Sequence, residues 1–148
     1  MMIYLGADHG GFWLKENTKQ WLKDWGYEFI DMGAKALEPE DDHPIYAFAV
    51  AKAVAENPGD VGILFCRSGG GMAIAANRVK GVRAVEVYDI RSTQHAKTNN
   101  NANIITLGAN WLSEEQASTI IKTWLVTTFN NEPRYVQRIA EYDSSDLA

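Results

Sequence analysis

One cysteine in 148 residues rules out an internal disulfide framework. The three histidines, His9, His43 and His95, are scattered and offer no metal-ligand spacing. Long apolar runs are also absent, and nothing approaches the ~20 residues of a membrane-spanning helix. The opening stretch Met1–Gly6 carries no charged leader and no cleavage site, so it reads as a first strand rather than a secretory signal. Positive charge is in deficit: 14 Lys and Arg against 19 Asp and Glu leave a net charge of −5. That excludes nucleic acid or an anionic membrane as a general partner, while leaving room for a local basic pocket. Linkers, internal repeats and low-complexity tracts are missing. One domain spanning 1–148 is expected, with a cytoplasmic address by default and a tail frayed from about Asp143.

What is present is an alternation of short apolar runs with segments of helical period. Met2–Leu5 reads as a strand, and Leu14, Thr18, Trp21, Leu22 and Trp25 then recur at helical spacing before Gly26, placed as a C-cap glycine. Tyr27–Asp31 reads as a second strand, followed by an acidic loop from Gly33 to Asp42. Pro44 opens a helix through Tyr46, Val50, Ala51 and Val54. Val61–Cys66 reads as a buried strand, and Met72, Ala75, Ala76 and Val79 mark the next helix. Val82–Val87 is a fourth strand. Asp89 caps a polar helix to about Lys97, and Ile104–Leu107 is a fifth strand. Ser113 and Gln116 form a capping box ahead of an amphipathic run through Thr128, and Pro133 starts a last helix. This βαβ alternation implies a three-layer, Rossmann-like α/β domain with a five-stranded parallel sheet. Ligands of such sheets sit beyond the carboxyl ends of the strands.

The most chemical stretch is Cys66-Arg67-Ser68-Gly69-Gly70-Gly71-Met72, a strand, a glycine turn and a helix start. Glycines let backbone N–H groups approach an anion, and the helix start adds partial positive charge. The same field and Arg67 would favour the thiolate of Cys66, making it a usable base, although a structural cysteine beside a tight turn also fits. The turn is a poor nucleotide phosphate loop, because it lacks the lysine and follows the third strand. Asp8 and His9 close the first strand, where they could bind sugar hydroxyls or serve as a helix cap and a surface residue. Arg134 and Arg138, at i and i+4, share a helix face and could clamp a phosphate or be solvated. Asn99, Asn100, Asn101 and Asn103 crowd a loop for which turn formation is the ordinary use of asparagine.

In this order the pieces resemble the family of type B ribose-5-phosphate isomerases and galactose-6-phosphate isomerase subunits. The resemblance runs from Ile3 to about Ile139. It is carried by Gly6-Ala7-Asp8-His9-Gly10-Gly11-Phe12 with Lys15-Glu16, Asp42-His43-Pro44, Gly62–Cys66, Ser68–Met72 with Ala75–Arg78, Gly81–Ala84, Asn100–Asn103 before Leu107-Gly108, and the Arg134/Arg138 pair. It implies an aldose–ketose isomerase acting through a cis-enediolate, without metal or cofactor. It also implies a homodimer or dimer of dimers with active sites built from two chains. Cys66 would be the base, with Ser68 assisting. Arg67, Gly69, Gly70 and Gly71 would bind the substrate through the turn, Asp8 and His9 would contact the sugar, and Arg134 and Arg138 would hold its phosphate.

The chain also departs from the family pattern. The family's histidine before Asn100, the acid that opens the sugar ring, is Asn99 here, and an amide cannot transfer a proton near neutral pH. The arginine two residues after Gly108 is Asn110. The glycine after the cysteine is Arg67. The aromatic residue before Pro44 is His43, which with His95 becomes a candidate acid. Three readings follow: a sugar-phosphate isomerase, an isomerase of a different or unphosphorylated sugar, or a non-catalytic sugar-phosphate-binding protein.

Overall fold

The computed structural model describes residues 1–144. Five strands alternate with helices. They are β1 (Ile3–Ala7), α1 (Phe12–Trp25), β2 (Phe29–Asp31), α2 (His43–Glu56), β3 (Val61–Cys66), α3 (Gly70–Ala76), β4 (Ala84–Glu86), α4 (Ile90–Thr98), β5 (Ile104–Gly108), α5 (Glu114–Val126) and α6 (Pro133–Ser144). Every strand pair is parallel, in the order β2-β1-β3-β5-β4. The expected three-layer α/β architecture is what forms. Residues 145–148 of the tail expected to fray lie outside the described residues, while Asp143 and Ser144 are helical.

Alternation along the strands divides the core in two. Successive side chains of a strand point to opposite faces, so Ile63 and Phe65 of β3 join one cluster while Leu64 and Cys66 join the other. The first cluster is closed by α1, α4 and α5 through Leu14, Leu22, Ala96, Ile120, Ile121 and Trp124. The second is closed by α2 and α3 through Ala47, Val50, Val54, Met72 and Ala76. α2 lies close over the sheet because Gly6 and Gly62 present no side chain beneath it. A Cβ on Gly62 would stand 2.6 Å from Val50 Cγ1. On the other face the Lys15 side chain is fully buried, and its ammonium bonds Asp31 Oδ2 at 2.8 Å, with Lys19 on the same oxygen at 2.9 Å.

Several elements are shorter than their apolar patterns predict: β2 lacks Tyr27 and Glu28, α5 stops at Val126, and two others differ more. The helix expected through Val79 ends at Ala76, and the strand expected over Val82–Val87 is only Ala84–Glu86. Side chains hold both ends of the connection: the Asn77 side-chain amide donates to Ala84 O and its Oδ1 accepts from Ala84 N–H, each at 2.8 Å, and Asn103 Oδ1 accepts the Arg83 N–H at 2.7 Å. A side chain that satisfies the backbone in this way competes with helix and ladder alike. The last helix, α6, buries none of its described residues.

Candidate active site

The strand order reverses between β1 and β3, and the crevice at such a switch point opens beyond their carboxyl ends. A cavity of about 210 Å³ lies there, lined by Asp8, His9, His43, Cys66, Arg67, Ser68 and Gly71. Cys66 is the last residue of β3 and is 5 % exposed. The chain then turns sharply through Gly69, whose φ of +86° suits glycine alone at low cost. That turn brings the Gly69 N–H onto Cys66 Sγ at 3.1 Å, while the Gly70 N–H donates to Ser68 Oγ at 3.2 Å. The loop after β5 holds the turn from outside. Ala109 and Asn110 donate their N–H groups to Cys66 O and Arg67 O, and Trp111 Nε1 donates to Ser68 O at 3.1 Å. Asn110 thus stands beside the turn, though it does not line the cavity.

The end of β1 supplies the opposite wall. Asp8 is buried, and its Oδ1 accepts from the N–H groups of Gly10 and Gly11 at 2.9 and 3.2 Å, which closes the turn into α1. His9 follows, with both its backbone N–H and its Nδ1 at 2.9 Å from Asp41 Oδ1. The other oxygen of Asp41 accepts from the Tyr46 hydroxyl at 2.9 Å. The hydrogen bond to Asp41 raises the His9 pKa above its ordinary value against the opposing effect of burial, and the charges of Asp8 and Asp41 add to it while Arg67 subtracts. Burial alone would push Asp41 up, yet its bonds from His9 and Tyr46 hold it below the ordinary carboxylate value. Tyr46 is pushed up to about 12, by burial first and then by its bond to Asp41. Asp8, His9 and Asp41 offer ligand atoms within 4.8 Å of one another, but the carboxylates already accept N–H and O–H donors of the chain, which makes the group a hydrogen-bond chain rather than an open set of ligands.

The remaining wall is His43, at the start of α2. Its ring lies against Gly71, so close that a Cβ on Gly71 would meet Nε2 at 2.6 Å. Arg67 runs along Gly10 in the same way, with its Cγ 2.4 Å from where a Cβ would stand, and the residue is exposed. His95 faces an outer groove with Glu86 and Tyr88 and is not part of this cavity. A larger groove of about 490 Å³ between the starts of α4 and α5 gathers no comparable chemistry, because Asp89 is engaged in the capping box with Ser92.

The other expected site residues lie at the far end of the sheet. Asn99 ends α4, with its N–H on His95 O and its Oδ1 accepting from Thr98 Oγ1. Asn100 lines a groove with Asn77, Arg83 and Tyr142. Arg134 and Arg138 are exposed on α6, which is tied back through Arg83 and Asp143 at 3.3 Å. Cys66 pairs with the last residue of β5, whereas Asn103 immediately precedes it. Five strand residues, about 15 Å, therefore separate the two groups within one chain. Asp41, Tyr46 and Trp111 were not expected at the site. Asp41 lies in an acidic loop 32 residues from His9, and no spacing rule joins them.

A sequence model of the ribose/galactose isomerase family matches residues 3–142. Ribose-5-phosphate isomerase B of Mycobacterium tuberculosis is 36% identical, the match covering 100% of this chain and 93% of that one. A putative sugar phosphate isomerase of Bacillus subtilis, YwlF, is 34% identical over 99% and 100% of the two chains. The crystal structure of a ribose 5-phosphate isomerase from Thermotoga maritima superposes with a TM-score of 0.92 at 38% identity, covering 97% of this chain and 98% of that one. Ribose-5-phosphate isomerase B from Mycoplasma genitalium with bound ribulose-5-phosphate superposes with a TM-score of 0.91 at 33% identity, covering 95% and 92%. With the fold, the cysteine turn and these likenesses extending over nearly its whole length, the chain is a member of the ribose/galactose isomerase family and an aldose–ketose isomerase.

Proposed function

We propose that the substrate is a sugar phosphate, a pentose 5-phosphate in the first instance, and that Cys66 is the base that moves a proton between C1 and C2 through a cis-enediolate. The observation that carries this reading is the position of Cys66 Sγ. It ends β3 in a small cavity shared with Asp8 and His9, with one turn amide already directed at it. In this reading the Ser68 hydroxyl and the Gly71 amide, from the two turn residues after Arg67 that line the cavity, stabilise charge on the enediolate oxygens, while the Gly69 and Gly70 amides hold the turn. Each such donor is worth about 3 kcal/mol of barrier when preorganised. The M. genitalium relative, of matching fold, holds ribulose-5-phosphate, which supports a five-carbon substrate.

The active unit in this reading is a homodimer or a dimer of dimers. Asn99, Asn100, Arg134 and Arg138 lie at the far end of their own sheet, where a second copy of the chain can take them into its Cys66 cavity. The exposed apolar side chains Ile45, Ile74, Val136 and Tyr142 give such copies surface to cover. Arg134 and Arg138 then hold the phosphate. Among the described residues no helix is long and apolar enough to cross a membrane, in keeping with a cytoplasmic enzyme.

A second reading has an observation of its own. Asn99 and Asn110 stand where the family resemblance places a histidine and an arginine, which favours a different sugar, with an altered phosphate grip or none. A panel of pentose and hexose phosphates against the free sugars decides between them. Turnover of ribose 5-phosphate with kcat/KM above ~10⁴ M⁻¹s⁻¹ supports the first reading and removes the second. Turnover confined to another sugar does the reverse, and binding without turnover across the panel removes both.

A further inference from the structure

We infer that His9 is the site's proton donor to the carbonyl oxygen of the substrate, and that Asp41 and Tyr46 are the residues that position it. The inference rests on the isomerase reading above and adds a second catalytic group to it.

Interconverting an aldose and a ketose moves two protons, one between carbons and one between O1 and O2. A single sulfur base serves the carbons. The oxygens need a second acid–base group within reach of the same two atoms. His9 and Cys66 line the same small cavity, about 210 Å³, so the second group is sought among the residues that share it with the sulfur. Asp8 accepts two turn N–H groups through Oδ1. Arg67 does not give up a proton near neutral pH, and Ser68 is an alcohol whose oxygen accepts from Gly70 N–H. Two imidazoles remain. The His43 ring rests on Gly71 and makes no hydrogen bond among the described residues. His9 is fixed at two points by one carboxylate oxygen, and that carboxylate is fixed in turn by Tyr46. With Nδ1 turned to Asp41, Nε2 is the nitrogen free to meet the substrate. An acid–base group oriented by a second residue, which is itself held by a third, is the arrangement that proton-transfer sites use.

The proton balance closes on itself. Cys66 takes the C2 hydrogen, the C2–H pair becomes the C1=C2 bond, and the carbonyl pair moves to O1, which takes the proton from Nε2. The imidazole, now neutral, takes the O2 proton as C2=O forms. The C1=C2 pair then captures the Cys66 proton at C1. Both groups return to their starting states, and no co-reactant is needed.

The groups that face His9 are Asp41 from the loop before α2, Asp8 beside it, Arg67 and Cys66 from the β3 turn and His43 from α2, with Tyr46 behind Asp41 and Glu38 near Tyr46. The test is the pH profile of kcat for the full-length protein on the sugar phosphate it turns over, together with an NMR titration of the His9 imidazole. Wild type should lose kcat as pH rises through the His9 titration. Asp41→Asn keeps the shape and removes the charge, so it should move both the titration and the alkaline limb to lower pH. It should also lower kcat ~10-fold or more with KM little changed. Tyr46→Phe removes the O–H that offsets the Asp41 charge, so it should move both to higher pH by less, and it keeps the test alive if Asp41→Asn does not fold. His43→Gln should leave the alkaline limb in place, whatever its effect on rate. A limb that stays fixed in Asp41→Asn or Tyr46→Phe while the His9 titration moves, or that moves in His43→Gln, overturns the inference. An inactive wild type would overturn the isomerase reading itself, whereas the NMR titration reports His9's bond to Asp41 separately from turnover.

Discussion

Removing the Cys66 sulfur should separate its proposed role as base from its role as acceptor of the Gly69 N–H. As general base, Sγ is worth about 10²–10⁴-fold in rate, or roughly 3–5 kcal/mol of barrier at 1.36 kcal/mol per decade. As hydrogen-bond acceptor it satisfies the Gly69 N–H at 3.1 Å in a buried turn, and an orphaned buried donor costs about 1–3 kcal/mol. Cys66→Ala loses both. Cys66→Ser keeps an acceptor near the Gly69 N–H and loses only the base. In a continuous assay of ketose formation both variants should fall below ~1 % of wild-type kcat, the lower end of the general-base range. In thermal melts at one fixed protein concentration, Cys66→Ala should drop by roughly 3–10 °C, given the few degrees that each kcal/mol shifts a domain of this size. Cys66→Ser should stay within a few degrees of wild type. Activity above a few per cent in Cys66→Ala refutes the sulfur as base. Equal melting losses in the two variants refute the claim that the Gly69 bond holds the turn.

Mixed oligomers should test the shared site: a Cys66→Ala chain and an Arg134→Ala/Arg138→Ala chain, each inactive alone, should recover part of the activity on co-refolding, and no recovery in a confirmed mixed dimer removes the two-chain site. Either arginine variant alone should raise KM for a phosphorylated substrate by about 1.5–3 kcal/mol of lost charge-assisted bonding, read from initial rates against concentration. Asn99→His with Asn110→Arg should raise kcat/KM on ribose 5-phosphate if the substrate is another sugar, and leave it unchanged if ribose 5-phosphate is already a good substrate. Asp31→Asn should cost about 3–5 kcal/mol in denaturant unfolding by stranding the buried Lys15 ammonium, while Lys15→Met should cost far less. Burial opposes ionisation of Asp31, but the bonds from Lys15 and Lys19 hold its carboxyl below the ordinary value. Its contribution is therefore complete above that ordinary value and lost as pH falls through the depressed one. A stability profile flat through that acid window would refute the assignment.

Local chemistry made much of this molecule readable in the chain. Apolar runs of strand length between helix-period segments dictate a parallel α/β sheet, because each helix must bury its stripe against the sheet. The capping boxes at Asp89 and Ser113, the C-cap at Gly26 and the glycine turn after Cys66 are set by residues a few positions apart. The order of these pieces also carries the family and the cysteine turn. Tertiary structure alone decided what depends on long separations. It set Asp41 against His9 across 32 residues, locked Asp41 with Tyr46, and braced the Ser68 turn with Trp111 across 43 residues. It tied the end of α3 to the start of β4 through Asn77 and Ala84. It also divided the expected site residues between opposite ends of the sheet, because α4 runs from the carboxyl ends of the strands back to their amino ends and carries Asn99 away from Cys66. Periodicity records which face a residue takes on its own element, whereas the partner it meets there depends on where the other elements pack.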